Sequence, residues 1–254
     1  MYNTPDNQPQ NFQNSPNQTP YQQAYTQTSM AQNAQAERIS VARTYGEMTI
    51  GLVVTAVVAY FSYATGLFSA FFQSTGTFGL IILSILQIGI VIFLSARVMS
   101  MKPSTARLAF YAYAALMGFT LSTIFAAFNI NTIFLAFAFS AAFFFALTMC
   151  ALTTKVNLLK LGPILQVALI VLIISQIVMM FMGVGTQTML LSAITMIIFA
   201  GFTAYDAQVA RALFQQFAGN TEMIKRVSII CALNLYLDFI NFFISLLNIF
   251  ADRS

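Results

Sequence analysis

From about residue 48 onward, the chain alternates long apolar runs with short polar interruptions. Seven such runs stand near 48–70, 79–98, 107–128, 131–152, 163–183, 188–210 and 227–250. An α-helix needs roughly 20 residues to cross a bilayer, and each run is long enough. The predicted fold is therefore an all-α integral membrane protein of seven transmembrane helices. The seventh run differs from the rest. Asn234, Asp238, Asn241, Ser245 and Asn248 follow at steps of four, three, four and three, so they form one narrow stripe on a helix. Leu, Ile, Phe and Tyr fill the remaining circumference. Such a helix turns its polar side toward protein or a water-filled cavity, which predicts a central last helix surrounded by the others.

Residues 1–36 are different material: Gln, Asn, Pro, Thr and Tyr, with Asp6 the only charged side chain before Glu37. A segment of this composition buries too little apolar surface to offset its chain entropy, so it is expected to be disordered. Two units follow, a cytoplasmic tail over 1–36 and a seven-helix membrane domain over 37–254. The tail is read as a solubilising extension or as a handle for a cytoplasmic partner.

Charge fixes the expected orientation. Hydrophobic residues make up 59% of the chain and charged residues 7%, against about 25% charged in soluble domains. The loops near 67–78, 128–132 and 183–188 carry no Lys or Arg. The alternate loops carry Arg97, Lys102 and Arg107, then Lys155 and Lys160, then Arg211, Lys225 and Arg226. Arg38 and Arg43 precede the first run. By the positive-inside rule the N-terminus is cytoplasmic, and seven spans put the C-terminus on the far side. The net charge of +4 thus reflects orientation and gives no reason to invoke nucleic acid. Cys150 and Cys231, without any histidine, make neither a disulfide framework nor a metal site. Ala114, Gly118 and Ser122, spaced by four, suit close helix contact, and Pro163 opens the fifth run.

Three ionisable groups stand out within the runs. Asp206 lies near the inner end of the sixth, Asp238 inside the seventh, and Arg97 at the inner end of the second. A mid-helix carboxylate costs about 2.5–3.5 kcal/mol on insertion scales, so it has a partner or a function. Asp206 lies about 27 Å from the outer end of its helix and Asp238 about 18 Å from its own, which brings both into the inner half. Ser192, Thr195 and Thr203 share the side of Asp206 and face the stripe of the last helix. Two carboxylates so placed would share a proton and titrate as a unit. The alternative is that each aspartate pairs separately or caps a helix and only holds the bundle together. Arg97 likewise either reaches inward or extends to the headgroups.

Thr203-Ala204-Tyr205-Asp206-Ala207-Gln208 and Leu235-Tyr236-Leu237-Asp238-Phe239-Ile240-Asn241-Phe242-Phe243 resemble the two signature stretches of the transmembrane Bax-inhibitor-motif family, in its bacterial branch. Arg43-Thr44-Tyr45 and Phe110–Gly118 add to the likeness, which covers about residues 37–252. The resemblance implies a calcium leak gated by protonation of an aspartate pair, here Asp206 and Asp238, with Arg97 as a latch on it. Asn234, Asn241, Ser245, Asn248, Thr203 and Tyr205 are the pore-lining candidates, and calcium is the permeant ion, held transiently by the aspartates. The resemblance also implies an alternative role, binding of the membrane-anchored FtsH protease. No cofactor is expected, and the surrounding partner is lipid of a bacterial inner membrane. An enzyme is not expected. Intramembrane aspartyl proteases carry Gly-x-Gly-Asp at the second aspartate, where this chain has Tyr236-Leu237-Asp238-Phe239.

Overall fold

The computed structural model describes residues 20–182 and 188–251. Among them are eight α-helices and no strand: α1 (Pro20–Ala64), α2 (Leu67–Arg97), α3 (Pro103–Leu121), α4 (Ile124–Ala127), α5 (Ile130–Thr153), α6 (Gly162–Phe181), α7 (Met189–Gln216) and α8 (Thr221–Ala251). A 3₁₀ turn, Leu158–Leu161, leads into α6. Seven stretches among the described residues are long and apolar enough to cross a membrane, with α3 and α4 forming one span and the 3₁₀ turn joining α6 in another.

Two boundaries differ from the sequence pattern. Helix α1 begins at Pro20, inside the segment expected to lack structure, whose residues 1–19 lie outside the described residues. Proline suits a first helical position, and the Ala- and Gln-rich residues that follow have no further proline to stop the helix. Likewise, the loop expected over 67–78 is helical. Its hydroxyls turn back on their own helix, Ser74 Oγ and Thr75 Oγ1 both donating to the Phe71 carbonyl, at 2.9 and 2.8 Å. The reversal falls instead at Thr65–Gly66, where Gly66 takes φ +67°, and Gly76, at φ +59°, kinks α2. Most of the loop expected near 183–188 lies outside the described residues, and Thr188 caps the start of α7.

Helix α8 is the axis of the bundle. Its apolar window is 72% buried, against 11–33% for the other spans. Leu235, Tyr236 and Leu247 are fully buried, and Phe110 and Tyr113 of α3 meet the Tyr236 ring edge-on at 5.6 and 6.0 Å. The Tyr236 hydroxyl is 2.6 Å from Thr55 Oγ1 of α1, which also bonds the Ala114 carbonyl of α3 at 2.9 Å. The small residues Ala114, Gly118 and Ser122 are buried along the α1–α3 seam. A Cβ at Gly118 would sit 2.5 Å from the Thr55 carbonyl oxygen.

Candidate functional site

The most extensive helix interface is that of α7 with α8, and both aspartates lie on it. The Asp206 and Asp238 carboxyl groups lie close enough to interact across the α7–α8 interface, and both face one cavity. A carboxylate only accepts, so a hydrogen bond between the two would need a proton on one of them. Asp238 is buried, and its Oδ2 has no hydrogen-bond partner among the described residues. Tyr45 of α1 and Cys231 of α8 lie within electrostatic range of the pair, and Thr148 of α5 stands beside the Tyr45 hydroxyl.

The pair opens into a cavity of about 380 Å³ whose lining includes Tyr205, Asn234 and Gln166 of α6. A second cavity, of about 170 Å³, lies further along α7 and α8, between Gln176, Ser192, Thr195, Asn241, Ser245 and Asn248. The polar stripe of α8 thus divides between two chambers. Asn234 and Asp238 serve the first, and Asn241, Ser245 and Asn248 the second. Phe199 and Leu237 line the aspartate chamber one helical turn from Thr195 and Asn241 of the second. Thr203, expected in the pore, lines neither chamber: it is buried and donates to the Phe199 carbonyl at 2.8 Å.

Arg97 is not brought to the pair. Its side chain is exposed and bonds neither aspartate among the described residues. The reason is the place of α2, a peripheral helix that packs mainly on α3 and α1. The end of α2 is tied to α8 by a different arginine. Arg226 Nη1 donates to the Met99 carbonyl at 2.5 Å.

A family model described as "Inhibitor of apoptosis-promoting Bax1" matches residues 37–254. The chain belongs to the Bax inhibitor family. Similar relatives include the inner membrane protein YbhL of Escherichia coli K12, 34% identical over 214 residues, which are 84% of this chain and 91% of YbhL. An uncharacterized protein of Borreliella burgdorferi matches at the same identity and coverage. One of Deinococcus radiodurans is 33% identical over 216 residues, or 85% of this chain and 91% of its own.

This family member carries a third buried carboxylate that the run pattern passed over. Glu47 of α1 accepts from Arg107 Nε at 2.7 Å and from the Tyr111 hydroxyl at 2.6 Å, both on α3. Arg107 Nη2 completes a two-pronged ion pair with it at 2.5 Å. Glu47 stands one residue before the first run as drawn, and nothing in its local spacing points to Arg107 or Tyr111 sixty or more residues on. Gln208 of α7 was also missed. It donates to the Ala151 and Val156 carbonyls and accepts from the Leu158 amide, so it fixes the turn between α5 and α6. No group of three or more His, Cys, Asp or Glu side chains able to hold a metal occurs among the described residues.

Proposed function

We propose that the protein is a pH-sensitive calcium leak channel of a bacterial inner membrane, gated by the proton shared between Asp206 and Asp238. The observation that carries this reading is the contact of two buried carboxyl groups at the edge of a polar cavity inside a membrane-spanning bundle. With its proton in place the contact joins α7 to α8. Without that proton the two carboxylates repel, and Asp206, Asp238, Asn234 and Tyr205 offer oxygen atoms suited to a hard cation. The inner-membrane name of the relative YbhL agrees with the location. Basic loops on the side of Arg38 and Arg43 support a cytoplasmic N-terminus. Calcium flux into liposomes carrying the purified chain, measured across pH 5–8, tests the reading directly. Flux equal to that of empty liposomes at every pH would refute it.

A second reading is a membrane-embedded modulator of an FtsH-type protease. It is favoured by one observation, the helical stretch of α1 from Pro20 that precedes the apolar span at Arg38. Capture of the protease by the full chain, and its loss on deletion of residues 1–36, would support a contact through this arm. Equal capture with and without it would count against one.

A further inference from the structure

The smaller cavity has a property that its residue names alone do not reveal. Thr195 Oγ1 donates to the Leu191 carbonyl at 2.8 Å, and Ser245 Oγ to the Asn241 carbonyl at 2.7 Å. Asn241 Nδ2 donates to the Leu237 carbonyl at 2.8 Å. Each of these side chains has spent a donor on its own helix. A hydroxyl has one proton and two lone pairs, and an amide oxygen has two lone pairs, so what these three side chains still offer the cavity is mainly acceptor capacity. Ser192, Thr195 and Ser245 are buried, which fixes these oxygens in place. The amides of Gln176 and Asn248 complete the lining.

We propose that this cavity is a cation subsite separate from the aspartate chamber, an uncharged cage of hydroxyl and amide oxygens that receives a partly hydrated calcium ion. Hard cations take six to eight oxygen ligands, roughly the number this lining and a few retained waters supply. A volume of about 170 Å³ leaves room for those waters. Because the cage carries no formal charge it holds the ion weakly, as transit requires. Asn241 is three residues from Asp238, a rise of about 4.5 Å along α8, so an ion leaving the cage is close to the aspartates. The inference rests on the leak-channel reading for its role, though not for the existence of the site.

Equilibrium calcium-45 binding to the full chain in detergent separates the two. Asp206→Asn with Asp238→Asn removes the charged site, and weak saturable calcium binding should remain. Adding Thr195→Val and Ser245→Ala, which delete two oxygens while nearly keeping volume, should weaken that binding by about fivefold or more. Thr195→Ser, which keeps the hydroxyl, should bind as its background does. Should the combined variant fail to fold, Asn248→Leu at the half-buried edge of the cavity gives the same test. Binding that disappears with the aspartates, or that ignores every oxygen deletion, overturns the subsite. Liposomes that pass no calcium while this residual binding persists would instead overturn the channel reading and leave the subsite standing.

Discussion

Arg107→Ala is expected to destabilise the protein well beyond an ordinary surface change. Glu47 is 7% exposed as a side chain, and Arg107 supplies one of its two hydrogen bonds and its ion pair. Removing the arginine leaves a buried carboxylate held by Tyr111 alone. Breaking a buried pair from one side costs about 3–5 kcal/mol. Arg107 is itself 43% exposed, so water screens the pair, and about 2–3 kcal/mol is the better figure here. Glu47→Gln keeps the shape without the charge and should cost about 1 kcal/mol. The double variant should then be more stable than the sum of its parts by at least about 1 kcal/mol, because no unpaired charge remains. Thermal unfolding in detergent, followed by far-ultraviolet circular dichroism, measures all four corners of the cycle. Strict additivity, or an Arg107→Ala protein within about 0.5 kcal/mol of the parent, would refute the clamp. Flux offers a second readout. Tyr45, two residues before Glu47, stands beside the aspartate pair, so loosening α1 from α3 should also disturb the pH response.

Asp206→Asn and Asp238→Asn should each change the pH dependence of calcium flux, with the double variant little different from either, since one shared proton is lost in all three; additive effects would mean two independent aspartates. Arg97→Ala should leave flux and its pH profile within about twofold of the parent, as expected of an exposed side chain at a helix end. Arg226→Ala removes the bond to the Met99 carbonyl and should raise basal flux near neutral pH, and the reverse order of effects in liposomes would restore Arg97 as the latch. Gly118→Ala places a methyl group against the Thr55 backbone, which cannot swing aside, and should cost about 1–3 kcal/mol by thermal unfolding.

Much of this architecture was legible because the bilayer imposes one simple rule on sequence. Apolar runs give spans, and a run with a polar stripe gives the enclosed helix, so α8 and its stripe were readable from spacing alone. The Ala114, Gly118 and Ser122 stripe was readable for the same reason, since a backbone can approach only where side chains are small. What failed lay at span ends. Glu47 and Arg107 fall where a run meets a loop, and there composition does not say whether a charge turns inward or to water. Arg97 and Arg226 show the same ambiguity with opposite outcomes: Arg97 is exposed, while Arg226 crosses to Met99. Helix packing decides such cases, and one-dimensional spacing carries little of it. The hydroxyls of Ser69, Ser74 and Thr75 misled in a similar way. They look like a loop until each is seen bonded to a carbonyl of its own helix or of Gly66 at its cap.

The buried helix α8 separates two fates of a polar group. Tyr236, at its most enclosed point, meets Thr55 at 2.6 Å, and Thr55 in turn meets Ala114, so that the hydroxyl ties three helices together. Buried polar atoms normally end in such partnerships, because leaving one unpaired costs about 1–3 kcal/mol. Two residues further on, Asp238 departs from that rule. Its Oδ2 has no partner among the described residues, and its surroundings open into a cavity instead of closing onto a neighbouring helix. Asn241 stands between the two situations, with its amide nitrogen bonded to its own helix and its side chain lining the second cavity. If stability alone had shaped this helix, an apolar residue at position 238 would serve better than a carboxylate without a full set of partners. In the proposed channel, the unspent hydrogen-bonding capacity at Asp238 and Asn241 marks where the polar stripe of α8 opens onto a cavity instead of a packed helix.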